Sequence, residues 1–411
     1  MSGKAMLIII SGFTMLFMVV ANNFNTVSGR VTDNYVDYFN KTTSHNIAIS
    51  GANMAANQLF LDSTWNAGYN NVPYQNGKLN VTVETIDAYK NIKRITSVGI
   101  FQKDTSRVQV TFAPSKFSKF AYYSVYEGTN IWWMNKDTVW GPFHTQDILR
   151  AANHPVFHGK ASSKGGIQYY TNQATDKPYF YGGYEQGVDL SLPTNGVTAL
   201  KTPAQNNGLY FNGNNAGQGT VYLKFDRDYL YYRYNTMTPY DSVYLPSAAP
   251  NGVIYVDNGV ARIQGTVKGA YTIACSGTSS GKGTIWLDDD IVYSKDPRTD
   301  PTSTDMLGIV AQSNVWITEN SANNNNININ ASIYVEQGGF GAQNYNTRPV
   351  SGTINLLGGI IQNTRQAVGT FNSGVIKTGF SKSYRYDDRF MTASPPFFPG
   401  TGGFEIVSWY E

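Results

Sequence analysis

The sequence predicts an α+β, mostly β protein: a long N-terminal α-helix, an antiparallel β meander, then a parallel β-helix-like solenoid carrying an inserted β subdomain. Three observations predict it. An uncharged run from Ala5 to Ala21 leads into a stripe of apolar and aromatic residues spaced by three or four. The periodicity then switches to two from Lys78 onward. Beyond that, apolar clusters of strand length recur every 20–30 residues or so, with Gly or Asn at the breaks.

The helix comes first. Ala5 to Ala21 reads AMLIIISGFTMLFMVVA, with Lys4 ahead of it. That run sits at the short end of the roughly 17–25 residues that cross a bilayer core. Met6, Leu7, Ile8, Ile9, Ile10, Phe13, Leu16, Phe17, Val19 and Val20 are its membrane-facing or filament-core candidates. A cleaved secretory signal is the rival reading, but Asn22-Asn23-Phe24-Asn25 lacks the small residues of a cleavage site. The stripe continues through Phe24, Val27, Val31, Tyr35, Tyr38, Thr42, His45, Ile49, Ala52, Ala56 and Leu59. Of these, Phe24, Val27, Val31, Tyr35, Tyr38 and Ile49 are the candidate helix-packing residues. No proline precedes residue 73, so one helix from about Lys4 to Leu61 extends roughly 85 Å. Ala48, Ser50, Gly51, Ala52, Ala55 and Ala56 leave room for a head to pack closely. Asp62-Ser63-Thr64 and Gly68 supply the stop.

Three strands follow, around Leu79–Thr85, Arg94–Ile100 and Val108–Phe112, as an antiparallel meander able to cover the second half of the helix. Repeating clusters run from Val253-Ile254-Tyr255-Val256 to Gly359-Ile360-Ile361, and the stretch Asp147 to Lys160 has the same layout, so the solenoid is expected to begin near residue 137. Asn323-Asn324-Asn325-Asn326 reads as a turn of such a coil, where Asn tolerates left-handed backbone, or as an Asn-rich loop. A jelly roll or sandwich is the alternative architecture. The expected division is 1–62 for the membrane or filament-core helix, 63–136 for the β head, 137–380 for the β-helix-like domain with an insertion near 190–250, and 381–411 for an aromatic, Pro-rich tail.

The composition points away from catalysis. Charged residues are 14% of the 411, and 29 tyrosines and 40 glycines take their place. Such a surface has little self-repulsion and suits assembly. A net charge of +3 without any basic tract argues against nucleic acid. The single cysteine, Cys275, lies in an apolar run and reads as a small buried hydrophobe. His144, His154 and His158 cluster, yet His154 and His158 on a strand stand about 13 Å apart, too far to share a metal. Asp288, Asp289 and Asp290 alternate across a strand, and with Asp296, Asp300 and Asp305 read as solvated loop rather than as a calcium site or a polysaccharide-cleaving pair. No phosphate loop or dinucleotide fingerprint is present. We expect no enzyme activity, no cofactor and no metal. The aromatic abundance, densest at Tyr229 to Tyr234, suits packing or a glycan or surface ligand.

A long helix, apolar at its start and amphipathic later, with a β-rich head behind it, resembles the type IV pilins and pilin-like proteins. Gly12-Phe13-Thr14 matches the family's processing tripeptide, but a cut there leaves only Phe13 to Ala21 apolar, and the first acidic residue is Asp33 where the family usually has Glu at the fifth mature position. Residues 130–411, with Gly141-Pro142-Phe143-His144 and the aromatic ending, resemble an uncharacterised family of bacterial envelope proteins with pilin-like N-termini. The resemblance implies a structural subunit of an extracellular filament. It is anchored in the inner membrane before assembly and partnered by copies of itself through the N-terminal helices. A monomeric, membrane-tethered surface adhesin or glycan-binding protein is the alternative.

Overall fold

The computed structural model describes residues 3–87, 91–135, 137–279, 281–372 and 375–411, which fall into two compact units, 1–114 with 403–411, and 115–402.

In the first unit the helix spans Gly3–Leu61 without interruption. It ends where Asp62 turns its carboxylate onto the Thr64 amide (2.8 Å) and hydroxyl (2.6 Å). Those hydrogen bonds hold the Asp62 carboxyl below its usual range. Four antiparallel strands follow, Tyr69–Tyr74, Gly77–Asp87, Ile92–Phe101 and Asp104–Lys116, and Gly400–Tyr410 joins as a fifth beside the fourth. The first hairpin turns on Gln75 and Asn76, both at positive φ, the backbone that a two-residue loop between twisted strands requires.

Strict alternation along Ile92–Phe101 puts Lys93, Ile95, Ser97, Gly99 and Phe101 on the helix side. Small residues meet at the centre of that face. A Cβ at Gly51 would collide with the Ser97 hydroxyl, and one at Gly99 with the helix backbone at Ser44 and Ala48. The helix therefore lies directly on the sheet, burying Asn40, Ser44, Ile47, Ala48, Gly51, Ala52, Ala55 and Leu59. Lys93 reaches the end of the helix and donates to the carbonyls of Ser63 (2.7 Å) and Trp65 (3.1 Å). Burial pulls its amine pKa down, against the pull of Asp62.

In the second unit short strands pair in parallel. One run stacks Tyr122–Tyr126, Phe143–Thr145, Ala161–Ser163 and Tyr184–Gln186 in that order. A second run stacks Leu209–Asn212, Val253–Asp257, Ala270–Cys275, Met306–Ala311, Ile327–Val335 and Val350–Thr364. Alongside it, Thr220–Arg227, Val260–Val267, Thr284–Tyr293, Val315–Ile317 and Phe340–Ala342 stack likewise. The last long strand, Val350–Thr364, pairs with Val375–Arg385 through its first half and with Tyr122–Tyr126 through its second. The two runs thus join into one stack, entered by the chain in the middle.

Register makes the core. Leu209, Ile254, Ile273, Ile309, Ile333, Ile360, Tyr122, Phe143, Ala161 and Tyr184 are successive partners in a single column. The column is aliphatic below the junction and largely aromatic above it. The opposite face, with Tyr255, Val310, Tyr334 and Tyr123, is covered by Val197, Leu200 and Ala204 of the segment that returns between the runs, and by Phe117 and Phe398.

The junction between the runs is polar. Glu127 is fully buried; it accepts from Arg365 Nη1 and Trp133 Nε1, both at 2.8 Å, and from Tyr122 Oη at 2.6 Å. Gln362 Nε2 donates to the same tyrosine at 3.1 Å, and the Arg365 guanidinium lies 4.2 Å from the centre of the Trp133 ring.

The chain divides differently from the expectation at several points. The first break falls after Pro114, and Lys136, the expected end of the head, lies outside the described residues. Parallel pairing begins at Tyr122 rather than near 137. Leu209–Asn212 and Thr220–Arg227 belong to the parallel stack, so of the strands in the expected 190–250 insertion only Tyr229–Arg233 and Asp241–Tyr244 run purely antiparallel. The tail at 381–411 is not a separate segment. Its start continues Val375–Arg385, and Gly400–Tyr410 returns to the first unit's sheet, its alternation having been masked by Pro395, Pro396 and Pro399.

Two outcomes check this account. Arg365→Met leaves the Glu127 carboxylate buried without its cation and is expected to cost about 3–5 kcal/mol in urea unfolding; Glu127→Gln with Arg365→Met together should cost less than Arg365→Met alone. Gly99→Val drives a side chain into the helix backbone, and a melting-temperature drop corresponding to about 1–3 kcal/mol or more is expected.

Candidate functional site

The N-terminal half of the helix is left uncovered by the described residues of the chain. Met6, Leu7, Ile8, Ile9, Ile10, Phe13, Leu16, Phe17, Val19 and Val20 are all exposed, as are Phe24, Val27, Val31, Tyr35 and Tyr38. Ile49 is half-buried and packs on the head's core. Among the described residues this is the one helix long and apolar enough to cross a membrane, and none of its most apolar window is buried in the chain. Four of its hydroxyls bond to the helix's own carbonyls. Ser11 donates to the Leu7 carbonyl (2.9 Å), Thr14 to Ile10 (2.8 Å), Thr26 to Asn22 (2.9 Å) and Thr32 to Ser28 (3.1 Å). A hydroxyl bonded to its own helix carries little desolvation cost into an apolar environment.

The stripe read from spacing divides in space. Residues 24–38 of it face outward, whereas the head sits on Ser44, Ile47, Ala48, Gly51, Ala52, Ala55 and Leu59. The aromatic half and the small-residue half therefore serve different contacts. The signal that separates them is side-chain size, since only Gly and Ala allow the sheet to approach so closely.

The remaining candidates have structural partners. Asp288 is bound by Arg262 (Nε at 2.9 Å) and Thr318 (2.7 Å), and Asp290 accepts from the Asn328 amide and side chain at 2.7 and 2.8 Å. Asp305 holds the amides of Gly269 and Lys295. Among the described residues no cluster of three or more His, Cys, Asp or Glu is placed to hold a metal ion. Cys275 is buried, and burial pushes its thiol up to about 12. In the tyrosine cluster, Tyr232 donates to Asp241 (2.8 Å) and packs on Phe211, while the Arg233 guanidinium lies over the Tyr240 ring. Those side chains close the lower end of the stack. Sequence reading missed the Glu127–Arg365 pair, whose members lie too far apart in the chain for any local pattern to join.

No family model matches the chain, and no curated protein matches it. A search of solved structures matches the chain to the crystal structure of the competence-associated pilin ComZ from Thermus thermophilus, at 14% identity and a TM-score of 0.44, over 90% of this chain and 97% of that one.

The three clustered histidines are ring-stacking elements in the parallel stack. His154 lies against Tyr179, and His158 between Trp140 and Tyr181. His144 is fully buried, stacked on Tyr123, with Nδ1 at 2.8 Å from the Ser162 hydroxyl. Burial lowers its pKa below the ordinary value. The unfolded chain takes up that proton near pH 6.5 while the folded chain resists it to lower pH, so in that window the unfolded state binds more protons and stability falls as pH falls. The urea midpoint is expected to drop between pH 7 and pH 5.5, and His144→Gln should remove part of that drop.

Proposed function

We propose that this chain is a structural subunit of an extracellular, type IV pilus-like filament, held in the inner membrane through residues 5–21 before it assembles. One observation carries the reading: about half of a 59-residue helix projects an apolar and aromatic surface that none of the described residues covers. Left in water, each fully exposed Leu, Ile or Phe forgoes roughly 1.5–3 kcal/mol of burial. A bilayer covers residues 5–21, and like helices cover the same residues together with Phe24, Val27, Val31, Tyr35 and Tyr38. The low charge of the chain supports close approach of copies. The direct seating of the head on one face of the second half of the helix keeps that face unavailable to neighbours and leaves the first half free.

The second unit is read as a parallel β-helix, since most of its described strands pair in parallel with the one a coil later and equivalent residues stack in columns. On a filament subunit it would be a domain exposed at the cell surface. No enzymatic role is assigned to it.

The test separates assembly from anchoring. Val31→Asp puts a carboxylate on the aromatic stripe beyond the apolar run. It should leave the chain in the membrane fraction while abolishing or sharply reducing filaments seen by electron microscopy, because an unpaired buried charge costs several kcal/mol per subunit. Normal filaments from Val31→Asp, or wild-type chain recovered only as membrane monomers, would overturn the proposal.

A further inference from the structure

The upper end of the parallel stack is finished differently from the lower one. Below, Tyr229–Arg233 and Asp241–Tyr244 extend the sheet and close it. Above, Ile167–Tyr169, Tyr179–Phe180 and Tyr184–Gln186 each pair on one side, with Leu149–Ala151, Val156–Phe157 and Ala161–Ser163. No described strand lies on their other side. A cavity of about 710 Å³ opens there, lined by Tyr169, Tyr179, Tyr181, Tyr184, Lys177 and Gln186, among others.

The rings at this end are braced. Tyr179 opens a two-residue strand and Tyr181 follows directly after its end, two residues on. Each rests on a histidine of the coil below: Tyr179 on His154 at 5.1 Å and 22°, Tyr181 on His158 at 5.0 Å and 16°. His158 in turn rests on Trp140 at 4.0 Å and 7°. His154 is fixed by a 2.8 Å hydrogen bond between Nδ1 and the Lys177 carbonyl. The rings are thus held nearly parallel to the layer beneath, yet Tyr179 and Tyr181 remain 50% and 70% exposed. Inside the coil, Phe180 stacks between Phe157 and Tyr184.

We propose that this end is a glycan-binding site that takes a pyranose-based oligosaccharide, with sugar rings laid on Tyr179 and Tyr181. A pyranose presents an apolar face of C–H groups and a rim of hydroxyls. Flat tyrosines offer the matching apolar face at small entropic cost because they are already stacked. The tyrosine hydroxyls, Gln186 and the Lys177 ammonium offer donors and acceptors around the rim. Strand addition by a protein partner fits less well. The open edges are only two or three residues long, and Gly183 and Gly187, both at positive φ, interrupt the backbone next to the last of them. The proposal is independent of filament formation, since it concerns a surface that the single chain already presents.

The full chain in detergent micelles, applied to an array of immobilised neutral and uronic-acid oligosaccharides and then titrated calorimetrically with the best-retained one, tests this. Retention of at least one oligosaccharide is expected. Tyr181→Ala and Tyr179→Ala should each weaken it up to about ten-fold, as expected for loss of one stacking ring. Tyr181→Phe should retain most of the binding, and Tyr229→Ala at the opposite end should change nothing. Near-ultraviolet circular dichroism checks that the variants stay folded. Three outcomes would overturn the site: retention of no oligosaccharide, binding that is unchanged in both alanine variants, or self-association of the wild type that the alanine variants abolish, which would assign the surface to a second copy.

Discussion

Glu127 and Arg365 meet 238 residues apart, and their meeting closes the second unit. Above Glu127 the stack is built from residues 122–186, with Val375–Arg385 alongside on the same side of Val350–Thr364, and below Arg365 it is built from residues 209–364. Main-chain pairing between Tyr122–Tyr126 and Ile360–Thr364 supplies the continuity. That pairing alone would tolerate a slip of two residues, which preserves the in–out alternation. The buried carboxylate does not tolerate it. With Arg365, Trp133 and Tyr122 all converging on Glu127, a shifted register would leave several buried polar atoms unpaired at once. A buried ion pair of this kind adds little to stability relative to an apolar replacement, but it discriminates strongly between registers.

The same economy governs the first unit, by volume instead of charge. Gly51, Gly99 and Ser97 occupy the centre of the helix–sheet contact because anything larger would lift the helix off the sheet. The helix is thereby split into a half committed to the head and a half left uncovered. No change in helical periodicity marks that split. It follows from where the small residues stop.

Much of this was legible in the residues. The helix end at Leu61 followed from Asp62, Ser63 and Thr64, and the period-two strands around residues 79–112 followed from alternation. The β-rich character of the rest was readable because Ile, Val and Tyr cluster in strand-length runs. Long-range order was not. Nothing in Tyr122–Tyr126 announces that its partner is Ile360–Thr364, and Thr220–Arg227 looks like a hairpin strand because its neighbour in sequence does pair with it antiparallel. Gly400–Tyr410 was hidden behind prolines whose influence ends at Pro399. The histidines were legible only as too far apart to share a metal, because their actual use depends on which rings lie one coil above and below.

Entering the stack in the middle also has a cost in time. As the chain emerges from its N-terminus, the strands from Tyr122 to Gln186 are made first, with the lower edge of Tyr122–Tyr126 open. Its partner does not exist until residues 360–364 have been synthesised, and the coils between must form from the far end back toward it. Contacts of such sequence separation make folding slow. An unpaired edge beside tyrosine and tryptophan is a template for aggregation while it waits. A chain with this topology therefore completes its second unit late, only after its last coils have been made.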